Sequence, residues 1–371
     1  MTRDLTRRHA RVLGLVQAAA RLADPHDPLG VEVRRELVRT TGLSPANVDL
    51  CLRSHLEHHA SPGDIARLVA CSTPVPSVHL LLSANVFVAA LRALALALAA
   101  STQVRVRAST REPAFVRALL AAVHDPAIVA AVDLVDDLSP ASGDEIHLYG
   151  RNETIAAICA RMPDGVRVRV HGTGMGIALV AQDVDIDRAA SAIAADVVPF
   201  DQRGCLSPRV VYAHGPPQRA RALAARLASA LASWDARVPL GRLDGDELAD
   251  VARYRDTLAV VGDCFPAGSG VVGLLFDDTC VLVSPVGRNL HVVATGDGGG
   301  AASTIRALAP HVAAVGISPG SRDPWIGQMI GALPHARRSP LGSMQRPAFD
   351  GPVDLRFPAA LTPSEVVARL R

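Results

Sequence analysis

The sequence predicts an α/β protein built on a doubly wound, nucleotide-binding domain, followed by a second α/β unit that carries a cysteine-bearing turn. Three observations predict it. Strand-like and helix-like windows alternate from about residue 78 to residue 170. Turns that are polar or hold a glycine follow the strands. Apolar residues make up 49% of the 371, enough for a sizeable core. The expected organisation is a helical segment over 1–75, a nucleotide-binding domain over 76–180 and a catalytic domain over 181–335. A closing segment over 336–371 is expected to return to the nucleotide-binding domain.

In chain order, an amphipathic helix is expected from Leu5 to Leu22, since Val12, Leu13, Val16, Ala19 and Ala20 recur at helical spacing. A second is expected over Val31–Val38, and Ser44-Pro45-Ala46-Asn47 opens a third. Arg7-Arg8 before an apolar stretch faintly suggests an export signal, but no cleavage region follows and the helical reading is preferred. His55, His58 and His59 are expected on one helix face, with no further metal ligand nearby.

Leu80–Ala100 is the most apolar window, yet it contains Asn85 and Arg92. A central arginine costs roughly 2.5–3.5 kcal/mol on membrane insertion. A buried strand over 78–82, a turn at Ser83-Ala84-Asn85 and a helix over Val86–Ala100 fit better. Strands then follow at Val104–Arg107, Val132–Val135, Glu145–Tyr149 and Val166–Val170, with helices at Ala114–Val123 and Asn152–Arg161. Gly172-Thr173-Gly174-Met175-Gly176 reads as a glycine turn. Further on, helices are expected at Gln218–Leu231 and over 241–256, then short strands from Leu258 to Val293. A helix over Thr304–Ala309 and a strand over Ala313–Ile317 complete one more crossover.

Bulk properties exclude several classes. Lys plus Arg total 38 against 36 acidic residues, and aromatics are 3%, so neither charge nor stacking surface points to nucleic acid. The sequence contains no lysine, which excludes a lysine Schiff base and a P-loop lysine. Six cysteines without a CxxC pair argue against a zinc site or disulfide framework and for a reducing cytoplasm.

The chemistry concentrates in Phe200-Asp201-Gln202-Arg203-Gly204-Cys205-Leu206-Ser207-Pro208-Arg209. A thiol at a turn can sense unpaired backbone N–H groups, which favour the thiolate. Gly204 leaves room for a substrate carbonyl to approach the backbone. Cys205 is therefore the expected nucleophile, against the plainer reading of an inert buried thiol.

Gln202-Arg203-Gly204-Cys205 resembles the Gly-Gln-x-Cys thiol motif of the aldehyde dehydrogenase superfamily. The longer string from Asp196 to Gln202, continued by Cys205-Leu206-Ser207-Pro208, resembles the LuxC-type acyl-CoA reductases, over about residues 65–350. The resemblance implies an aldehyde dehydrogenase-like fold, with a Rossmann-type cofactor domain and a catalytic domain bearing the thiol. It also implies an aldehyde-forming oxidoreductase acting on an acyl-CoA or acyl-carrier-protein thioester through a cysteine-bound acyl group. In that pattern Asn85 donates to the substrate oxyanion together with the Cys205 N–H, a plain capping role being the alternative.

Arg107-Ala108-Ser109-Thr110-Arg111 resembles the Lys-Pro-Ser-Glu ribose segment, with Thr110 where the glutamate stands. Loss of that carboxylate beside Arg107 and Arg111 implies NADPH, with NADH the alternative. Tyr149-Gly150-Arg151-Asn152 resembles the Gly-Ser-Thr turn that faces the pyrophosphate, with Gly150 as the matching glycine; Arg151 replaces the serine and would either aid the phosphates or crowd them. No carboxylate stands where a hydrolytic relative keeps its base; His171 lies there and could serve Cys205 as a base. The Glu-x-Phe-Gly-Pro element has only Ser284-Pro285-Val286 as a remnant. A CoA-acylating dehydrogenase, an acyl-phosphate reductase and a degenerate acyl-binding relative remain alternatives. Homo-oligomers are expected, with an acyl-activating or aldehyde-consuming enzyme as a further partner, and no membrane span.

Overall fold

A computed structural model describes residues 3–296, 299–358 and 360–370. Four helices come first: α1 (Arg3–Ala23), α2 (Pro28–Thr41), α3 (Pro45–Ser54) and α4 (Pro62–Cys71). The last three start alike, with a proline in the first turn and a side-chain cap from Asp27, Ser44 or Ser61. The α1 stripe Val12, Leu15, Val16, Ala19 and Leu22 is buried in the core shared with α5 (Ala89–Ala100). Arg8 and Arg11 are buried too, donating to the Ala99 and Leu98 carbonyls at the end of α5.

The first sheet contains β1 (Val78–Leu81), β2 (Val104–Arg107), β3 (Val132–Leu134), β4 (Glu145–Tyr149) and β5 (Arg167–His171). Its order is β3-β2-β1-β4-β5, and every pairing is parallel. Helices α6 (Ala114–Ala122), α7 (Pro126–Val129) and α8 (Asn152–Cys159) complete the crossovers. The strand order reverses between β1 and β4, so a crevice opens at their carboxyl ends, the usual place for a ligand in such sheets.

Helix α5 starts at Ala89 rather than Val86, because 84–88 form turns. At 12 residues α5 is short, and among the described residues no helix is long and apolar enough to cross a membrane. The histidines do not share a helix face. Helix α3 stops at Ser54, His55 forms its C-cap, and the His58 and His59 rings lie 3.7 Å apart in the following turn. No cluster of three metal-ligating side chains occurs among the described residues.

The second sheet has the order β12-β11-β6-β7-β10-β9-β8. Its strands are β6 (Met175–Val180), β7 (Pro208–His214), β8 (Asp263–Ala267), β9 (Gly270–Leu275), β10 (Leu290–Thr295), β11 (Val312–Ile317) and β12 (Arg337–Pro340). Only β8 runs antiparallel to its neighbour. Helices α9 (Ile186–Val197), α10 (Pro217–Asp235), α11 (Gly245–Val261), α12 (Gly300–Leu308) and α13 (Pro324–Gly331) flank it.

Strand β6 and helix α9 were not expected. Gly176, read as part of a turn, lies inside β6, where a Cβ would meet Leu206 O at 2.5 Å and Met344 Cε at 2.8 Å. The glycine lets the thiol loop press against the strand. Residues past 336 divide. β12 joins the second sheet, whereas Leu361 pairs with Val168 of β5 and α14 (Pro363–Leu370) packs on α8.

Candidate functional site

The segment before Cys205 has an unusual backbone. Phe200, Asp201 and Gln202 have φ of 57°, 50° and 67°, three consecutive non-glycine residues in the left-handed region. All three are buried, with relative exposures of 1%, 0% and 0%. Polar bonds from distant parts of the chain hold them. Asn47 Nδ2 donates to Asp201 Oδ1 at 2.8 Å and to Val198 O at 3.1 Å, while its Oδ1 accepts from Phe200 N. Arg288 Nη2 donates to Asp201 Oδ1 at 2.8 Å, and Gly241 N donates to Asp201 Oδ2 at 2.9 Å. Gln202 Nε2 reaches Pro208 O at 2.8 Å and Asn289 O at 2.5 Å, so its side chain staples the loop that carries Cys205.

Cys205 itself is partly exposed. Its surroundings do not favour the thiolate as expected. Burial, then the Asp354 carboxylate, push the thiol up to about 11, against weaker pulls from Arg356, its own backbone N–H and Arg337. The room expected at Gly204 is also taken: a Cβ there would overlap Gln345 Oε1 and lie 3.5 Å from Val86 Cγ2. Arg356 pairs with Asp354 and donates to Thr173 O at 2.8 Å and Pro310 O at 3.3 Å. It thereby ties the end of the first sheet to the second beside the thiol.

The remaining expected site residues lie along the carboxyl edge of the first sheet. Asn85 is exposed in the turn after β1, and no side chain caps α5. Thr40, Thr41, Asn85, Arg111 and Arg203 line a recess there. Arg107, Ser109, Thr110 and Arg111 follow β2. Arg107 is half-exposed, with Nη1 3.8 Å from Asp137 Oδ1, and the Ser109 hydroxyl accepts from Arg111 N at 3.3 Å. Gly150 and Arg151 join β4 to α8. A Cβ on Gly150 would meet nothing within 4 Å, and Arg151, the N-cap of α8, makes no side-chain cap bond. No side-chain cap bond occupies the start of α8, and Asn152 there accepts from Thr173 N at 2.9 Å.

His171 ends β5 with its ring stacked on Tyr149, centroids 4.1 Å apart and planes 2° from parallel. Burial, followed by the charges of His147, Arg169, Arg92 and Arg356, depresses it to about 3. Burial lowers the imidazole and raises the thiol, so both shifts oppose passing a proton from Cys205 to His171. His171 is a poor base for this thiol. The Ser284 remnant faces inward: its buried hydroxyl lies 2.8 Å from both Arg209 O and Asn289 O. Beside it, Arg209, Asp250, Arg253 and Tyr254 border a cleft of about 410 Å³.

Sequence reasoning passed over Asn47, Arg288, Gln345 and the Asp354–Arg356 pair. Arg288 left one signal, a charged residue entering the apolar run of β10. Asn47 left none beyond its place on an amphipathic helix.

The family model described as Acyl-CoA reductase (LuxC) matches residues 70–356. Solved structures similar to this chain include an oxidoreductase from Marinobacter aquaeolei, with a TM-score of 0.70 and 14% identity, covering 92% of this chain and 79% of that one. Gamma-glutamyl-gamma-aminobutyraldehyde dehydrogenase from Burkholderia cenocepacia gives 0.64 and 16%, covering 88% and 74%. A lactaldehyde dehydrogenase gives 0.65 and 14%, covering 90% and 78%. At these identities the likeness establishes the fold, that of the aldehyde dehydrogenases. No curated protein matches the chain.

Proposed function

Because the chain belongs to the acyl-CoA reductase (LuxC) family, and so to the aldehyde-related oxidoreductases, we propose that it reduces an acyl-CoA or acyl-carrier-protein thioester to an aldehyde with NADPH, carrying the acyl group on Cys205. One observation supports this most: a partly exposed cysteine on a forced turn, at the junction of a nucleotide-type sheet with a second sheet. Cys205 Sγ bonds to the thioester carbonyl carbon as the carbon–sulfur bond to the carrier breaks. The proton of Cys205 leaves with the carrier thiol, so charge balances. Asn85 and the Cys205 N–H hold the carbonyl oxygen, and one such donor is typically worth about 2.7–4 kcal/mol. No carboxylate stands at the sequence position where a hydrolytic relative keeps its base, which supports transfer to hydride over hydrolysis of the held acyl group.

The residues fit a dinucleotide. Open space over Gly150 and the uncapped start of α8, beside the β1/β4 reversal, suit a pyrophosphate. Arg107, Ser109, Thr110 and Arg111, which follow β2, would hold the adenosine ribose, and Arg151 stands at the pyrophosphate turn. Two arginines without a carboxylate at Thr110 support NADPH over NADH, although Asp137 partly answers Arg107. When bound, a reduced nicotinamide supplies hydride to this site. All six cysteines are unpaired, which suits a reducing cytoplasm.

The test compares wild type with Cys205→Ala on a panel of acyl-CoAs, using NADPH or NADH. Wild type should add one acyl mass to the Cys205 peptide when the nicotinamide is withheld, and should release aldehyde faster with NADPH. The variant should lose adduct and aldehyde while NADPH still quenches its tryptophan fluorescence. Aldehyde formation by the variant at the wild-type rate would sink the proposal.

A further inference from the structure

The described chain holds four non-glycine residues with positive φ, and all four meet in one buried knot: Phe200, Asp201 and Gln202 on one side, Arg288 with φ 65° on the other. A non-glycine residue persists in the left-handed region only where its surroundings over-determine it. Only Asp201 is of a type that visits this region with any frequency, and Phe200, Gln202 and Arg288 are not. The determination comes from afar. Asp201 receives Asn47, Arg288 and Gly241, and its own carbonyl accepts from Gly287 N at 3.1 Å. Arg288, fully buried, also donates to Val238 O at 2.5 Å, to Pro239 O at 3.3 Å and to Asp235. Asn47 is fully buried as well and uses both ends of its amide on the knot.

Cys205 lies three residues beyond this turn, inside the loop that Gln202 staples to Pro208. The position of the sulfur thus depends on a backbone that would relax if its remote partners were removed. Asn47 belongs to α3, outside the residues matched by the family model. We infer that Asn47 and Arg288 are positioning residues for the Cys205 thiol: through Asp201 they hold the left-handed turn, so the N-terminal helices take part in forming the reacting site. This inference rests on the proposed acyl transfer for its kinetic readout only.

A displacement of about 1 Å in a reacting group can lower a rate about 10²-fold without affecting binding elsewhere. The test is Asn47→Ala, with Asn47→Ser alongside; the serine keeps a small polar group on α3 but loses the amide that reaches Asp201, Val198 and Phe200. In either folded variant, kcat should fall at least tenfold while KM for the thioester and Kd for NADPH stay within about threefold. Independently of substrate, iodoacetamide should alkylate Cys205 at pH 8 at least fivefold faster than in wild type, read by mass on the Cys205 peptide. That rise is expected because a relaxed turn resolvates the sulfur and moves it relative to Asp354, Arg356 and Arg337. Unchanged alkylation and unchanged kcat in a folded variant overturn the inference. Loss of the fold in both variants also counts against it, since the clamp would then serve the core alone. Failure of the functional proposal looks different: wild type would form no acyl-enzyme, whereas the alkylation contrast would persist.

Discussion

The Cys205 thiol is held near 11, chiefly by burial and then by Asp354. At pH 7 that leaves about one thiolate in ten thousand. Acylation in single turnover should therefore climb close to tenfold per pH unit from 7 to 10, checked by stopped-flow release of the carrier thiol. A plateau below pH 9 would show that the sulfur has an ordinary environment in solution. Stability follows the same group. A thiol whose folded value exceeds an unfolded value of about 8.5 stabilises the fold fully below that pH, and the contribution disappears as pH rises through 11. The cysteine was legible from its neighbours in sequence, but the sign of its environment was not. Asp354 and Arg356, which set that sign, arrive from the far end of the chain. Asn85 was legible as a turn residue, and its exposure leaves it free to donate.

At the scale of elements, apolar residues revealed β1, β2 and β4: β1 and β4 are buried almost throughout, and β2 alternates buried valines with exposed arginines. The pattern failed at β6, where Gly176 serves close packing rather than a turn. It also failed at the thiol turn, where strain is imposed by Asn47 and Arg288 and has no local cause. The β4–α8 junction provides a clean test of the cofactor site. A side chain at Gly150 meets no protein atom within 4 Å, and the residue does not need positive φ, so Gly150→Val should leave thermal stability within about 2 °C of wild type. The same side chain would project into the space assigned to the pyrophosphate. NADPH affinity should drop at least tenfold by fluorescence titration, with acylation of Cys205 in the absence of cofactor preserved. Equal affinity in the variant would remove the dinucleotide from this turn.

Across the whole molecule, the chain after β12 crosses from the second sheet to the first, bringing Gln345, Asp354 and Arg356 to the thiol on the way. One side chain anchors that crossing. Arg92, in the first turn of the apolar α5, donates to the carbonyls of Pro347, Ala348, Phe349 and Gly351 and pairs with Glu57. The residue that argued against a membrane span is thus the fastener between α5 and the chain after β12. Replacing one partner of a buried ion pair costs about 3–5 kcal/mol, because the other charge stays buried and unpaired. Arg92→Met fills similar volume but strands Glu57 and all four carbonyls. Urea unfolding should show a loss of that size. Because the freed segment carries Asp354 and Arg356, single-turnover acylation should fall further than NADPH affinity, since the β4–α8 turn proposed for the pyrophosphate lies outside that segment. A variant as stable as wild type, or one losing cofactor and acylation equally, would mean that the crossing is held by its own packing and that Arg92 is incidental to it.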